Sequence, residues 1–304
     1  MYEQIASNKR KTALIVFGAF VLLAAVGFAI GALYGQGAGP IGLAIALGVA
    51  AVLSFSSWRY GDRLVLASAR AKPVTPEEEP RLHNIVEGLA IAAGVPKPAV
   101  YVIPEQALNA FATGRDPAHS SLAVTRGLLD ATNRVELEGV IGHEMAHVVD
   151  RDILLGTIVA TLIGAVVLIS EFMLRAWFWG GIGGRRSSND GGGGAGAGIL
   201  ALVGIVLMIL APIAGQLIRM SMSRNREYLA DAQGALLTRY PPGLASALRK
   251  IAGSPTAMHA ANNATAHLWL STPSRFRGEK TGPMERLFET HPPIAERIRR
   301  LEEM

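Results

Sequence analysis

The longest uncharged stretch of this chain constrains its fold most strongly. Residues 12–58 contain no Asp, Glu, Lys or Arg and are mostly apolar. A helix that crosses a bilayer needs about 20 apolar residues, so this stretch is long enough for two crossings. We predict membrane-spanning helices near Thr12–Leu33 and Pro40–Trp58, joined by a short glycine-rich turn. The first run is long and has no clear cleavage site, which argues against a cleaved signal peptide.

Two further uncharged runs follow, at Ile153–Ser170 and Gly191–Ile218. As a helix, the earlier run would extend roughly 27 Å, which is just enough to cross the hydrocarbon core. We therefore predict a second pair of spans, joined by a glycine-rich loop. A hairpin that is buried in protein, or that only dips into the membrane, is the alternative.

Basic residues flank the predicted spans mainly on one side. They precede the first span and follow the second and the fourth, at Lys9, Arg10, Lys11, Arg59, Arg63, Arg70, Lys72, Arg219, Arg224 and Arg226. Cytoplasmic loops are enriched in Lys and Arg. We therefore expect both termini and both long polar segments in the cytoplasm. Against this, Arg175, Arg185 and Arg186 lie in a loop that would then be outside.

The composition narrows the chemistry that the chain can support. It has 304 residues, 17% of them charged, and no cysteine. The lack of cysteine excludes disulfide scaffolds, thiolate metal sites and cysteine nucleophiles, so a metal site must use His, Asp or Glu. The net charge is +5, but the basic residues are dispersed and no nucleic-acid motif is present. We therefore expect no nucleic-acid partner.

The two polar segments predict an α+β unit that is mainly helical. Helical spacing of apolar residues and short β-branched runs predict helices Pro80–Gly94 and Val135–Val149 and strands Ala99–Ile103, Ala107–Thr113 and Ser121–Thr125. Gly114–Pro117 predicts a turn between the last two strands. In segment 219–304 we predict helices that are interrupted by prolines, at Pro241-Pro242, Pro255 and Pro292-Pro293. The unit is thus assembled from two pieces of chain around the later hydrophobic runs.

The sequence His143-Glu144-Met145-Ala146-His147 is an HExxH motif within a predicted helix. Residues at i and i+4 share a helix face, so both imidazoles can bind one ion. Zinc binds neutral imidazole well, and Glu144 is placed to contact a metal-bound water rather than the metal. Two helix-face histidines without a ligand are the alternative. Four other histidines have no second possible metal ligand at a metal-binding spacing, so we expect them on the surface or in the core. They are His83, His119, His259 and His267.

A catalytic zinc needs a third protein ligand. A histidine ten residues after the first would indicate a metzincin, but Ile153 occupies that position. The best candidate is Glu227 in the sequence EYLAD, where two carboxylates lie at i and i+4. We expect Glu227 to bind the metal and Asp231 to accept a hydrogen bond from a ligand histidine. Asp231, His291 and Asp150 are the alternative third ligands.

Four motifs occur in an order typical of one family. ALNAFATGR is followed by HEMAHVVDRD, a hydrophobic hairpin, SRNREYLAD and ETHPPIAERI. Over nearly its whole length the chain resembles the HtpX-type membrane proteases of the M48 peptidase family. The resemblance implies a zincin-like (gluzincin) catalytic domain split around a transmembrane hairpin. The implied boundaries are two spans in 1–58, catalytic parts in 59–152 and 219–304, and the hairpin in 153–218.

The resemblance also implies roles for individual side chains. One Zn²⁺ per chain would bind His143, His147 and Glu227, with Glu144 as the general base. In the C-terminal motif, His291 and Arg297 would lie near the active site, where both can donate hydrogen bonds to a developing oxyanion. The alternative for His291 is a turn residue before a proline.

A substrate-binding strand is implied as well. A substrate peptide would add as an edge strand beside Asn109, Ala110 and Phe111. A plain core strand at Ala107–Thr113 is an equal alternative.

These observations lead to one expected function and two alternatives. We expect an integral zinc endopeptidase of the bacterial inner membrane that cleaves misfolded or damaged membrane proteins and unfolded polypeptides at cytoplasmic segments. The resemblance supplies this substrate class and a role in quality control and stress response. An intramembrane metalloprotease is disfavoured because charged residues crowd the HExxH motif. A non-catalytic membrane scaffold or chaperone-like protein is the other alternative. The sequence does not determine the oligomeric state.

Overall fold

Two long helices open the chain in the computed structural model, which describes residues 2–34, 37–162, 164, 224–261, 265–271 and 292–304. They are α1 (Tyr2–Tyr34) and α2 (Gly39–Ser68). Each contains a segment long and apolar enough to cross a membrane, and the first two predicted spans lie inside these helices. Large apolar side chains remain exposed along both, including Phe17, Ile45 and Val52. Such surfaces suit contact with lipid rather than water.

Small residues let α1 and α2 approach each other closely. A Cβ atom added at Gly27 would overlap Gly42 and Ala46, and one added at Gly42 would overlap the backbone of Gly27. Membrane helices commonly use glycine at such contacts because it allows their backbones to meet. The two N-terminal helices therefore form one tightly packed hairpin.

A four-stranded sheet follows, with the order β1–β2–β4–β3. Its strands are β1 (Lys72–Pro73), β2 (Ala99–Ile103), β3 (Ala110–Asp116) and β4 (His119–Thr125). Strand β4 is parallel to β2 and antiparallel to β3, while β1 is antiparallel to β2. Strand β3 therefore lies at an edge of the sheet.

The prediction for β2 is confirmed, whereas β3 begins three residues later than predicted and ends three residues later. The segment Gly114–Pro117 was expected to be the turn, but the strand continues as far as Asp116. Gly114 has φ +143°, and a register irregularity lies between Gly114 and Asp116. Glycine tolerates this backbone conformation, so the hairpin turn shifts to the two residues before His119.

Helices complete the unit on both sides of the later hydrophobic runs. They are α3 (Pro80–Ala93), α4 (Arg126–Ala131), α5 (Arg134–Val149), α6 (Asp152–Leu162), α7 (Arg224–Thr238), α8 (Pro241–Gly253) and α9 (Ile294–Glu302), with a 3-10 turn at Ala266–Leu268. The predicted stop after α3 is confirmed, since Gly94 adopts a left-handed C-cap with φ +68°. The proline pairs fall at the start of α8 and just before α9, as expected. Strand β1 and helix α4 are both short and were not predicted from the sequence.

Helix α5 lies in the middle of the core, in contact with β3, α3, α7 and α8. Its closest approach to α7 is at Gly142 and Gly234. A Cβ added at Gly234 would lie 2.8 Å from the backbone nitrogen of His143, and one added at Gly142 would lie 3.1 Å from the carbonyl oxygen of Gly234. The absence of side chains at both positions lets the two helices meet backbone to backbone, directly beside the HExxH motif.

Helix α6 begins the third apolar run and packs against protein along its first turns. Thr157 hydrogen-bonds the Thr113 hydroxyl (2.8 Å) and accepts from the backbone N–H of Gly114 (3.1 Å). On its other side, Thr157 contacts α2 at Gly61. The fourth predicted span, the loop before it and the last part of the third span lie outside the described residues, as do residues 35 and 36 of the first loop.

The contact between α5 and α7 generates a prediction. Gly234→Ala should push the helices apart and destabilise the protein by about 1–3 kcal/mol, as overpacking of a tight core does. Thermal unfolding of the detergent-solubilised protein measures this. Gly88→Ala is the matched control, because Gly88 lies within α3 and a Cβ there would meet nothing within 4 Å. An unchanged midpoint for Gly234→Ala would contradict the close packing.

Candidate metal centre and active site

The start of α5 is fixed by polar contacts. Asn133 and Glu136 form a capping box, and Glu136 also accepts hydrogen bonds from Ser246 (2.7 Å) and Lys250 (2.6 Å) of α8. A capping box satisfies backbone N–H groups that the helix leaves unpaired. These contacts anchor the helix that presents the HExxH motif.

His143 and His147 lie on the same face of α5, and their Nε2 atoms are 3.2 Å apart. Glu227 of α7 faces them. Its Oε2 lies 3.9 Å from Nε2 of His143, and its Oε1 lies 3.7 Å from Nε2 of His147. Ligands at zinc-bond length around one tetrahedral ion are roughly 3.3 Å from each other. The three side chains therefore fit a single metal ion. Their ligand atoms all lie within 4.8 Å of one another, as a shared metal requires.

The Nδ1 side of His143 is held by Asp231 and Arg297. Nδ1 of His143 lies 2.9 Å from the Asp231 carboxylate, so it donates its hydrogen there and Nε2 is left free for a metal. Arg297 donates to both oxygens of Asp231, at 2.9 and 2.6 Å. Burial opposes ionisation of Asp231, but the charge of Arg297 and the hydrogen bond from His143 outweigh it and lower the pKa to about 2. Asp231 thus stays ionised and fixes the tautomer of the ligand.

The same arrangement is repeated at His147 with a different carboxylate. Its Nδ1 lies 3.1 Å from Oδ2 of Asp152. Burial alone would lower the pKa of His147, but the hydrogen bond to Asp152 and the negative charge of Glu227 raise it to about 9. His143 differs, since burial and the nearby charge of Arg297 lower its pKa to about 4. A metal must therefore displace a proton from His147 but not from His143.

Glu144 lines a cleft together with His143, His147 and Glu227. Glu144 is only 2% exposed, and its carboxylate accepts a hydrogen bond from the backbone of Ala112 on edge strand β3. Burial and the charge of Glu227 raise its pKa to about 7, a value suited to a group that both accepts and donates a proton near neutral pH. The base candidate, the ligand set and the sheet edge thus meet in one cleft.

The expected substrate strand is present, but its first residues are engaged by the chain itself. Asn109 is buried, and its side chain donates to the Ser271 carbonyl (3.0 Å) and accepts from the Ser271 N–H (3.2 Å). The carbonyl of Ala110 accepts from the backbone of Leu270 (2.9 Å). Phe111 packs edge-on against Trp269 with centroids 4.7 Å apart. Ala112, the next residue along β3, is the strand residue that lines the cleft.

Arg297 lies near the site, as expected. Its guanidinium is fully buried and donates to Asp231 and to the Leu270 carbonyl (2.8 Å). It does not line the cleft. In this arrangement Arg297 supports the ligand set through Asp231, and a role as a donor to a substrate oxygen stays a prediction. His291 lies outside the described residues.

Of the alternative third ligands, the two that the structure describes, Asp231 and Asp150, make other contacts. Asp231 sits on the Nδ1 side of His143, and Asp150 accepts from Gln233 (3.0 Å). Of the four histidines that were not expected to bind a metal, His119 and His259 are exposed and His83 is buried. The remaining one, His267, is buried beside the cleft and contacts the Gly156 carbonyl (3.1 Å).

The roles of Asp152 and Ala112 in the site were not predicted from the sequence. Asp152 stands at the end of the HEMAHVVDRD motif, five residues after His147, so its nearness in sequence was an available signal. Ala112 had none, because its place in the cleft depends on how β3 packs against α5.

Two histidines on one helix, a carboxylate from a second helix and a buried glutamate in one cleft define a metalloprotease site of the HExxH class. A model of peptidase family M48 matches residues 76–304. A relative named "Protease HtpX homolog" from Thermoanaerobacter pseudethanolicus is 45% identical over 306 residues, covering 100% of this chain and 98% of its own. The chain belongs to peptidase family M48.

Other relatives agree with this assignment. Proteins of the same printed name from Caldanaerobacter subterraneus subsp. tengcongensis and Lactobacillus acidophilus are 47% and 44% identical, and each match covers 100% of this chain and 98% and 100% of theirs. Among solved structures, the crystal structure of S. mikatae Ste24p matches with a TM-score of 0.49 and 17% identity, covering 99% of this chain and 67% of that one. That structural likeness is too low to add to the assignment.

The geometry predicts how metal content depends on the two carboxylates of α7. Glu227→Ala removes one of three ligands and should lose most of the metal. Asp231→Ala keeps the ligands and should weaken binding by about 10–100-fold, the usual effect of losing a ligand's hydrogen-bond partner. Metal analysis at limiting zinc distinguishes the two. Equal zinc retention by Glu227→Ala and the wild type would place the third ligand elsewhere.

The raised pKa of His147 predicts proton release on metal binding. His147 with a pKa of about 9 is mostly protonated at pH 8, and it must be neutral to bind a metal. In Asp152→Asn the lost negative charge lowers this pKa, so the variant should release up to about one proton fewer per zinc. Titration calorimetry in buffers of different ionisation enthalpy measures the difference. Equal proton release would refute the role of Asp152.

Proposed function

We propose that this chain is a zinc-dependent endopeptidase of the bacterial inner membrane, with its active site at the cytoplasmic face. One observation supports this most directly. The buried carboxylate of Glu144 lies in the same cleft as the ligand grouping His143, His147 and Glu227 and hydrogen-bonds an edge strand. A peptide that pairs with this edge would bring a scissile bond beside the base.

The donor set supports zinc as the metal. Two imidazoles and one carboxylate suit zinc, and three protein ligands are the number that a catalytic zinc has. When bound, zinc acts as a Lewis acid that polarises a carbonyl and lowers the pKa of a coordinated water toward about 7.

The side chains then have separate tasks. Glu144 takes a proton from the attacking water and returns it to the leaving amine. Asp231 and Asp152 keep His143 and His147 in the tautomer that presents Nε2. Ala112 holds the carboxylate of Glu144 toward the cleft and offers the outer edge of β3 to a substrate backbone. His291 is retained as a candidate oxyanion donor.

The proposed substrates are misfolded or damaged membrane proteins and unfolded polypeptides, cleaved at cytoplasmic segments as part of quality control during stress. Three features support the location. Helices α1 and α2 are long and apolar enough to cross a bilayer. Basic residues flank them on the side of the catalytic unit. The curated relatives carry the name Protease HtpX homolog. In this proposal 153–218 forms a second transmembrane hairpin that divides the catalytic domain into 59–152 and 219–304.

The alternative is a membrane scaffold or chaperone-like protein that keeps the fold without chemistry. The intact ligand grouping and the raised pKa of Glu144 favour an enzyme, because a scaffold needs neither.

Replacement of the base tests the proposal. Glu144→Gln should abolish hydrolysis of casein in detergent, a loss of about 100-fold or more, while zinc stays bound because Glu144 is not a ligand. Glu138→Gln, on the same helix and outside the cleft, is the matched control and should stay active. A chelator should inhibit the wild type. Full activity of Glu144→Gln would refute the role of this residue.

The topology has its own test. A reporter fused after Met304 should report the cytoplasm, and one inserted at Gln36 should report the opposite side, as the distribution of basic residues requires. A reporter within Gly191–Gly194 distinguishes a spanning hairpin from a dipping one. A cytoplasmic signal there would refute the four-span arrangement and leave the metal site unaffected.

A further inference from the structure

One polar side chain of the first candidate membrane span reaches the metal site. Asn8 belongs to α1, inside the apolar window Ile5–Ala29, and is only 2% exposed. A buried amide is costly unless it is hydrogen-bonded. The partners of Asn8 therefore show what this helix does beyond anchoring the chain.

Asn8 is bonded through both of its amide donors and its oxygen. Its Nδ2 donates to the backbone carbonyl of Asp150 (3.1 Å) and to Oδ1 of Asp152. Its Oδ1 accepts from Nη1 of Arg226 (3.3 Å). All three partners belong to the catalytic unit, more than 140 residues away in sequence.

Asp152 connects Asn8 to a metal ligand. Its Oδ2 accepts from Nδ1 of His147 (3.1 Å), while its Oδ1 accepts from Asn8 and from Arg226 (3.2 Å). The carboxylate is thus held at one oxygen and orients the imidazole with the other. Rotation of the Asp152 carboxylate would break either the bond to Asn8 or the bond to His147.

We propose that Asn8 is a positioning residue for the metal ligand His147 and acts through Asp152. This inference rests on the metal site proposed above. The orientation of a ligand histidine depends on its hydrogen-bond partner, whose loss typically weakens metal binding by about 10–100-fold. A residue that acts through that partner should have a smaller effect, below about 10-fold. The affinity of the site for metal therefore depends on the membrane helix being in place.

The positioning role of Asn8 is tested by the zinc affinity of the full-length protein in detergent. Zinc binding is measured by competition with a chromophoric chelator for the wild type, Asn8→Ala, Asp152→Ala and the double variant. Because Asn8 acts through Asp152, the double variant should bind zinc no more weakly than Asp152→Ala alone. Asp231→Ala is the control, since Asp231 supports the other histidine. The losses in zinc affinity caused by Asp231→Ala and Asn8→Ala should be independent, so they should multiply in the variant that carries both substitutions.

Two further readouts separate positioning from general stability. The visible spectrum of the Co(II)-substituted protein should change in Asn8→Ala and stay unchanged in Ser7→Ala, its neighbour on the same helix. Asn8→Ser, which keeps one hydrogen-bonding group, should give an intermediate affinity and replaces Asn8→Ala if that variant does not fold.

The outcomes are distinct. Wild-type zinc affinity in Asn8→Ala, or an effect that multiplies equally with Asp152→Ala and Asp231→Ala, would overturn this inference while leaving the zinc site intact. A wild-type protein that binds no zinc would overturn the proposed function as well.

Discussion

The backbone contact between α5 and α7 at Gly142 and Gly234 is the constraint on which the site depends. Helix α5 supplies both histidines and the base, and α7 supplies Glu227 and Asp231 one turn apart. Because α7 lies directly against α5, Glu227 reaches the Nε2 atoms while Asp231 reaches Nδ1 of His143. A side chain between the helices would move both carboxylates outward together. The metal grouping and the support behind it therefore come from one packing arrangement.

The charges buried around the ligands are compensated in pairs. Asp231 lies against Arg297, and Asp152 lies against Arg226. Unpaired buried charges are costly, so these arginines allow two ionised carboxylates to stand behind the histidines. Arg297 also lies 3.8 Å from Glu227, and the negative charge of Glu227 helps raise the pKa values of Glu144 and His147. A dication bound by His143, His147 and Glu227 would place further positive charge beside these carboxylates, so metal binding and stability should be coupled.

Local spacing in the sequence predicted the parts of the site that lie on one helix. HExxH gave both histidines and the base, ExxxD gave the pair of carboxylates on α7, and uncharged runs gave α1 and α2. Contacts between distant segments could not be predicted in this way. The bond between Asn8 and Asp152, the guanidinium of Arg297 behind Asp231 and the place of Ala112 in the cleft depend on tertiary packing. The shift of β3 arose from the backbone conformation of Gly114, which looks like a turn residue in sequence.

We propose that α5 and α7 together bind one zinc ion through His143, His147 and Glu227. Zinc K-edge X-ray absorption of the purified protein tests this ligand set. We expect one zinc in a low-coordinate environment, with nitrogen and oxygen ligands at about 2.0–2.1 Å and scattering from two imidazoles. We also expect Glu227→Ala to lose one oxygen ligand or the metal itself. A spectrum with a single imidazole, or one unchanged by Glu227→Ala, would refute this ligand set.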